Sequence, residues 1–421
     1  MAAVYTKQVL GRVRWIPVWF LFTGGMINYM DRSAVSVAAP FLMRDLGLNA
    51  AQLGIVFSSF FAGYALFTFI GGYAADALGP KRVFTVAMTV WSTFCGLSAA
   101  AVGFASLLVV RVLFGCGEGP FSAAANKMVA NWFPRREIAT AVGFANAGTP
   151  IGGALAGPVA GWLTLRYGWR ITFVALAGIG FLWIVFWTAL VVDRPDAHSR
   201  LSERERAEIE EDRPPVAGNE SKVPLSFYFR QPTVLATGFS FFGYAYVLYF
   251  FLTWFPGYLT MARHLDIRNM ASLNTIPWIL GTVGLASSGV VCDFLSRVTG
   301  DVLRARKLVL SVCLALAGIC VGLAGFVSEL TWAVVFMTAT VFSLYLTGAT
   351  YWAIIQETVQ GEHVGAVSGF VHLIANCAGV IGPAVTGFIV QATGEFTSAF
   401  LLAGAFALLG AGLVTIFVRR S

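Results

Sequence analysis

Two long apolar blocks of the sequence are joined by the stretch Gly72-Tyr-Ala-Ala-Asp76-Ala-Leu-Gly79-Pro80-Lys81-Arg82. Its first five residues return in related form 217 residues later, as Gly289-Val-Val-Cys-Asp293. A weaker echo relates Gly143-Phe144 to Gly369-Phe370. Because these offsets are about half of the 421 residues, the chain is predicted to consist of two similar halves, with a binding site at the interface between them.

The apolar residues fall into blocks that are long enough to cross a bilayer, which takes about 20 residues each. Hydrophobic residues make up 57% of the chain and charged residues only 12%, whereas soluble proteins carry about 25% charged residues. The sequence therefore predicts an all-α membrane protein of twelve transmembrane helices, in two six-helix bundles formed by residues 1–192 and 231–421. The predicted spans are 15–39, 51–76, 82–103, 106–130, 138–164, 170–192, 232–259, 270–297, 306–327, 330–355, 364–391 and 396–418.

The distribution of basic residues predicts the orientation of these spans. Twenty Lys and Arg fall on the side of the two termini and five on the opposite side, so both termini are expected in the cytoplasm. The net charge of +7 then reflects cytoplasmic loops and not nucleic-acid binding. Residues 193–230 hold 16 of the 49 charges and are interpreted as a cytoplasmic linker, with a regulatory domain as the alternative. Within it, a short surface helix is predicted from Leu201 to Glu211, with a capping box formed by Ser202 and Glu205.

Four ionisable residues lie far from any predicted loop: Asp31, Arg32, Arg111 and Glu118. A charge at the bilayer centre costs at least about 2.5–3.5 kcal/mol, so it usually faces a cavity or a partner. One interpretation is two structural ion pairs. However, Arg111 and Glu118 are seven residues apart, which separates them by about 10 Å along a helix. They are therefore not expected to satisfy each other directly, and a functional cavity is the favoured interpretation.

The chemistry of these four side chains suggests a division of roles. Arg32 and Arg111 stay charged and offer a planar fork that matches a carboxylate, so they are candidate anion clamps. Apolar surroundings favour the neutral form of a carboxylic acid and a nearby arginine favours the ionised form. Asp31 and Glu118 are therefore candidate proton sites. An arriving anion that competes for the same arginines would couple the two fluxes.

Other polar side chains at membrane depth are weaker candidates for substrate contact. Tyr64 offers a hydroxyl, and Asn376 can both donate to and accept from a polyhydroxylated ligand. His372 lies four residues before Asn376 and shares its helix face, although a purely structural role is an equal alternative. Trp352 is a further candidate, whereas the other Trp and Tyr residues of the second half, Tyr249 among them, are by default interpreted as packing or interface residues. Lys127 is expected to reach the cytoplasmic interface with its long side chain.

Other classes of function lack support in the sequence. The six cysteines lie inside apolar blocks without a Cys-x-x-Cys pair, so neither a metal site nor a disulfide framework is predicted. No catalytic triad, metal-ligand cluster or His-Glu-x-x-His pattern appears in the 421 residues. An enzyme is therefore not expected, and no cofactor is predicted other than protons as the coupling ion.

The loop from Gly72 to Arg82 resembles the loop signature of the major facilitator superfamily, in which Gly72, Asp76, Gly79, Lys81 and Arg82 would be the motif positions. Three more stretches resemble the anion:cation symporter family, which includes bacterial galactonate, glucarate and hexuronate carriers and the animal sialin and vesicular glutamate transporters. They are Asn28 to Arg32, Arg111 through Gly117-Glu118-Gly119 to Pro134, and Leu252 to Pro256 with Tyr258. The resemblance runs from about residue 20 to the C-terminus.

This resemblance implies roles for individual residues. Arg32 would bind the substrate carboxylate, Asp31 and Glu118 would be protonated during the cycle, and Arg111 would be tied to Glu118. Tyr29, Tyr64 and Asn376 match positions that line the sugar-acid site of the family. At the position where some of these carriers have a glutamine, this chain has Thr149 followed by Pro150. Thr149 is shorter, so a different pattern of substrate hydrogen bonds is expected.

Together these features predict a monomeric transporter in a bacterial inner membrane that takes up a small organic anion with protons. A sugar acid or related carboxylate is the leading substrate class, and the partners are this carboxylate, protons and the lipid bilayer. One alternative is an anion exchanger or uniporter, whose accumulation would ignore a pH gradient. A second is a transporter-like receptor, which would bind without translocating.

Overall fold

The computed structural model describes residues 13–198, 201–210, 224–348, 350–359 and 363–419. These residues are helical apart from short connections, and they contain no β-strand. The predicted all-α fold is therefore confirmed. The chain forms a first bundle, a linker and a second bundle.

The described residues of the first bundle form eight α-helices, because one span is followed by a short extra helix and another is divided into two helices. They are α1 (Trp15–Val37), α2 (Ala39–Leu46), α3 (Ala50–Leu78), α4 (Pro80–Leu97), α5 (Phe104–Glu118), α6 (Phe121–Trp132), α7 (Arg135–Tyr167) and α8 (Trp169–Leu190). The fourth predicted span corresponds to α5 and α6 together, which are separated at Gly119-Pro120.

The linker contributes α9 (Glu203–Glu210) and α10 (Leu225–Tyr228), and the second bundle follows. Its helices are α11 (Pro232–Gly257), α12 (Ile267–Thr299), α13 (Val302–Ala324), α14 (Leu330–Thr347), α15 (Thr350–Thr358), α16 (Val364–Thr393) and α17 (Thr397–Phe417). A single π-helical turn, Tyr258–Ala262, extends α11.

Ten helical segments of the described chain are long and apolar enough to cross a membrane, by length and composition alone. The helices α1 and α7 are not among them. The reason is composition: α1 carries Asp31 and Arg32, and α7 is rich in glycine, alanine and threonine. Both are long enough to span, at 23 and 33 residues. They complete the twelve predicted spans.

The small residues of α7 allow close contact between its backbone and that of α1. A Cβ atom at Gly148 would lie 2.0 Å from the carbonyl oxygen of Phe22, and one at Gly152 would lie 2.2 Å from that of Met26. Real Cβ atoms do not approach a backbone oxygen so closely. Small residues at these positions therefore let the two helices pack backbone against backbone.

The linker helix α9 is held against the first bundle by Arg14, whose side chain is fully buried. The guanidinium of Arg14 lies 3.0 Å from Glu137 and 3.4 Å from Glu208. Ser202 caps α9 as predicted, because its hydroxyl accepts a hydrogen bond from the Glu205 N–H. The carboxylate of Glu205 does not close the predicted capping box, since it accepts from the Arg14 backbone N–H at 3.0 Å. The predicted end at Glu211 lies outside the described residues.

The two bundles are joined at the end of the molecule opposite both termini, which we call the distal end. Helices α1 and α16 finish there and α3 and α12 begin there. Four hydrogen bonds between described residues of the two bundles lie in these distal portions. They are Ser36 Oγ to Leu252 O, Ala50 N to Gln391 Oε1, Ala384 N to Ser58 Oγ, and Thr275 Oγ1 to Ala154 O. The structure is therefore closed at the distal end.

The contact between α3 and α16 at the distal end depends on Gly54. A Cβ atom at this position would lie 2.5 Å from the Pro383 carbonyl oxygen and 3.0 Å from the Cα of Gly387. Gly54→Ala is therefore expected to separate the bundles at this end. Because this clash lies between the bundles and not inside the core of either one, fold stability is expected to change little. The measurement is the distance between spin labels at the exposed residues Arg44 and Glu395, obtained by pulsed electron paramagnetic resonance. In the variant we expect an additional population with a longer distance between the labels.

Gly148→Ala is the matched comparison, because its clash with Phe22 lies inside the first bundle. There the helices cannot separate without unpacking, so we expect a loss of about 1–3 kcal/mol of stability and little change in the label distance. An unchanged distance distribution in Gly54→Ala would contradict the assignment of Gly54 to the distal closure.

Candidate functional site

A buried ion pair between Arg32 of α1 and Glu118 of α5 forms the centre of the candidate site. Glu118 Oε2 accepts hydrogen bonds from Arg32 Nη2 at 2.6 Å and from Arg32 Nε at 3.1 Å. The side chain of Glu118 is fully buried and that of Arg32 is 5% exposed. Asn28, one turn before Arg32, accepts a further bond from Nη2 at 3.3 Å. The other oxygen of Glu118, Oε1, is buried without a hydrogen-bond partner among the described residues.

Three aromatic rings surround the guanidinium of Arg32. Its Cζ atom lies 5.1 Å from the ring centroid of Tyr29, 4.7 Å from that of Phe60 and 4.9 Å from that of Tyr64. These rings favour a cation and hold the planar group in place. Two of the predicted substrate contacts, Tyr29 and Tyr64, thus lie directly against the predicted anion clamp.

Arg111 is placed differently from what the family resemblance implies. It is 3% exposed, and its Cζ lies 4.9 Å from the ring centroid of Phe60 and 4.7 Å from that of Phe114. In the described part of the chain it forms no salt bridge with Glu118. No direct ion pair therefore joins Arg111 to Glu118 in this conformation, although Glu118 acts on Arg111 electrostatically. The physical reason is that the two residues are two turns apart on α5, and Arg32 already binds the carboxylate.

Asp31 is 1% exposed, and neither of its carboxyl oxygens has a hydrogen-bond partner among the described residues. It follows Met30 and precedes Arg32, so it points to a different side of α1. Glu118 and Arg111 act on it electrostatically, and the indole of Trp91 lies near it. Asp31 thus belongs to the same buried group as the ion pair, on the side that faces α4 and α5.

The second bundle contributes a neutral, hydrogen-bonded pair. The hydroxyl of Tyr249 on α11 donates to Asn376 Oδ1 on α16 at 3.2 Å. The Tyr249 ring also contacts Phe61 of the first bundle, with 4.2 Å between centroids. Asn376 was predicted as a site residue, whereas Tyr249 was interpreted by default as a packing or interface residue. Its partner on another helix could not be inferred from spacing.

A second aromatic contact between the bundles was also missed by sequence analysis. The ring of Trp278 on α12 lies 5.9 Å from that of Tyr29, and a Cβ at Gly153 of α7 would lie 2.5 Å from the Trp278 indole. Trp278 is 1% exposed. The run of glycines in α7 was a signal that a large side chain packs there, but it did not identify which one.

His372 and Trp352 lie together, one turn from Asn376. The His372 ring is 5.6 Å from that of Trp352 and 5.9 Å from that of Phe241. Both predicted residues are therefore placed near Asn376 in an aromatic cluster. Thr149 is placed elsewhere: its hydroxyl donates to Asn146 O of its own helix at 2.8 Å, and its methyl group packs near Gly25. The structure does not bring Thr149 to the ion pair.

The loop motif lies apart from this site, at the end of the bundle that carries the termini. Asp76 forms a 2.6 Å salt bridge with Lys127, so Lys127 has a protein partner instead of only reaching the interface. Gly79 has φ of +85°, which favours glycine. The carboxylate of Asp193 accepts from the Lys81 N–H at 2.7 Å and so caps α4 from outside. Gly72 is half-buried and Arg82 is exposed.

The buried group of Asp31, Arg32, Arg111 and Glu118 carries two positive and two negative formal charges. In this conformation Arg32 binds the carboxylate of Glu118, which belongs to the protein itself. An incoming anion that takes the edge of Arg32 formed by Nε and Nη2 must displace Glu118. Protonation of Glu118 would weaken its hold on Arg32, because the attraction between opposite charges would be lost. The arrangement can therefore exchange a protein carboxylate for a ligand carboxylate.

Comparisons with known proteins match most of the chain. The family model described as Major Facilitator Superfamily matches residues 21–374 and 300–421. A hexuronate transporter of Bacillus subtilis is 49% identical over 404 residues, which cover 96% of this chain and 94% of that protein. A probable galactarate/D-glucarate transporter of the same species is 32% identical, over 93% of this chain and 89% of that protein.

Among solved structures, the fold is similar to that of a bacterial homologue of the human lysosomal transporter Spinster, in an inward-facing and occupied conformation. The TM-score is 0.74, with 96% of each chain covered and 16% sequence identity. At this level of identity the similarity concerns the fold alone.

Proposed function

Because the chain belongs to the major facilitator superfamily, a family of membrane transporters and not of enzymes, we propose that it carries a sugar acid across a bacterial inner membrane together with protons. The two bundles would rock about the central site and expose it to each side in turn. The chain would work as a monomer in the lipid bilayer, with protons as the coupling ion.

The observation that carries this proposal is the buried Arg32–Glu118 pair. A substrate carboxylate matches the planar fork of Arg32, as Glu118 does. When Glu118 takes up a proton it becomes neutral, and Arg32 then becomes available to the substrate. When the substrate leaves, Glu118 can release its proton and return to Arg32. Binding of the anion and of the proton would in this way favour each other, which is the requirement for symport.

Asp31 is the second candidate proton site in this mechanism. It is buried without a hydrogen-bond partner in the described structure. Arg111, the second arginine of the buried group, acts on it electrostatically. An ionised Asp31 balances Arg111 whether or not substrate is bound. Protonation of Asp31 would leave Arg111 free to shift, so it can serve as a second coupling position beside Glu118.

The substrate class is inferred from the relatives and from the chemistry of the site together. The similar proteins include transporters named for hexuronate and for galactarate/D-glucarate. The site combines one anion clamp, Arg32, with the amide of Asn376 and several aromatic rings. Amides and aromatic faces suit a polyhydroxylated carbon skeleton. A sugar acid offers a carboxylate to Arg32 and a polyhydroxylated carbon skeleton to Asn376 and the aromatic rings.

The orientation follows from the positive-inside rule, with both termini in the cytoplasm. With this orientation the closed distal end would face outward, and the site would be shielded from the outside in this conformation. Gradient-driven uptake would require the reverse state, in which the contacts between α3 and α16 open.

The test is uptake of radiolabelled sugar acids into proteoliposomes, with and without an inward proton gradient. We expect a hexuronate to accumulate above its external concentration only when the gradient is present. Uptake that ignores the gradient would contradict symport and favour an exchanger or uniporter. Binding without any flux would instead favour the receptor alternative.

A further inference from the structure

The two ends of the candidate site differ in chemistry. At one end, Arg32 offers a full positive charge surrounded by Tyr29, Phe60 and Tyr64. At the other end, the second bundle presents uncharged groups, namely the Tyr249–Asn376 pair and the cluster of Trp352 and His372. A ligand held between the bundles therefore meets a cation at one end and hydroxyl, amide and ring groups at the other.

Tyr249 determines which atoms of Asn376 are offered to a ligand. The Tyr249 hydroxyl donates to the carbonyl oxygen of the Asn376 amide at 3.2 Å, which fixes the orientation of the amide and leaves its two N–H donors for a ligand. Tyr249 is itself held in place, because its ring packs against Phe61 of the opposite bundle at 4.2 Å. The hydroxyl position is thus set by contacts on both sides of the site.

We propose that Tyr249 positions the Asn376 amide to recognise hydroxyl groups, so that the substrate lies with a single carboxylate at Arg32 and an uncharged, polyhydroxylated end at Tyr249 and Asn376. This inference rests on the proposed transport of sugar acids and selects within that class. The protein is then expected to prefer acids with one carboxylate, such as hexuronates, to acids of the same length with a carboxylate at each end.

The physical reason for this selection is desolvation. A second carboxylate at the Tyr249–Asn376 end would leave water for groups that carry no formal positive charge, and such burial is unfavourable. His372 does not supply a positive charge at this end, because the neighbours described for its ring are the rings of Phe241 and Trp352 and not an acidic side chain. A hydroxylated end loses less hydration and regains its hydrogen bonds from the amide.

The first experiment compares two acids with the same six-carbon chain as competitors of hexuronate uptake in proteoliposomes. Glucuronate has one carboxylate and glucarate has one at each end. We expect glucarate to compete at least about 30-fold more weakly than glucuronate. Equal competition would overturn the inference but leave sugar-acid transport intact. Absence of uptake for every sugar acid would instead overturn the proposed function.

The second experiment tests the positioning role of Tyr249 with a matched control on the same helix. Tyr249→Phe removes the hydroxyl that holds Asn376, whereas Tyr246→Phe removes a buried hydroxyl that has no partner among the described residues. The readout is competition by deoxyglucuronates, each of which lacks one hydroxyl. We expect the wild type and Tyr246→Phe to discriminate against at least one of them, and Tyr249→Phe to lose about 3- to 10-fold of that discrimination.

A purely structural role of Tyr249 would weaken binding of glucuronate and of all its deoxy analogues equally. Such a uniform loss, or discrimination in Tyr249→Phe that equals that of Tyr246→Phe, would overturn the positioning role. Melting temperatures of both variants, measured in detergent, identify any general loss of the fold.

Discussion

Glu118→Gln is expected to abolish proton-driven accumulation while exchange of labelled for unlabelled substrate continues. Glutamine has the shape of a protonated glutamate and cannot ionise. Arg32 would therefore stay available to the substrate throughout the cycle, and substrate would cross in both directions without a proton. The measurement is uptake into proteoliposomes under an inward proton gradient, followed by counterflow of the same acid without a gradient.

Asp45→Asn is the matched control, because it makes the same chemical change outside the membrane-spanning helices. A hydrogen bond from Trp169 and one from Arg44 hold the pKa of the Asp45 carboxyl below its usual value. Asp45 therefore stays ionised through the pH range of the assay and takes up no proton. We expect this variant to accumulate substrate like the wild type. Accumulation by Glu118→Gln would remove Glu118 from the coupling mechanism.

Arg32→Lys is expected to reduce uptake by about 10- to 100-fold. Lysine keeps the positive charge but lacks the planar fork and the broad face that three rings surround. Two charge-assisted hydrogen bonds to a carboxylate are replaced by one flexible contact, and such bonds are worth about 1.5–3 kcal/mol each. Each 1.4 kcal/mol corresponds to about a factor of ten in affinity.

The control for this variant is Arg44→Lys, since the Arg44 side chain is 73% exposed and forms its salt bridge with Asp45 at the surface. We expect uptake by Arg44→Lys to stay within about twofold of the wild type, because exposed pairs contribute little. Initial rates should be measured over a range of substrate concentrations, with the protein content of the vesicles normalised. If Arg32→Lys retains more than a third of the wild-type rate, Arg32 is not the anion clamp.

Local properties of the chain were enough to predict the helices and the buried charges. A run of about 20 apolar residues has few alternatives to a membrane helix, so the spans and the two halves could be inferred from composition and repeats. The same logic singled out Asp31, Arg32, Arg111 and Glu118, because a charge inside such a run is costly wherever its partner lies. These inferences need no knowledge of how the helices pack.

Pairings between helices could not be predicted in the same way. Arg32 and Glu118 are 86 residues apart, and spacing along a helix limits only partners within that helix. This is why neither the pairing of Glu118 with Arg32 nor that of Lys127 with Asp76 was predicted. Likewise, the carboxylate of Glu205 could form a capping box locally, but a buried Arg14 from before the first span is the stronger partner.

The sequence by itself determined a twelve-span membrane protein with two related bundles and four charges that must be sheltered from lipid. Only the tertiary structure decided that Glu118 forms the ion pair with Arg32, that Tyr249 orients Asn376, and that the bundles are closed at the distal end. The physical reason is that burial is a property of each residue, whereas a partner depends on how rigid helices dock. That docking is set by many weak contacts between residues far apart in the chain.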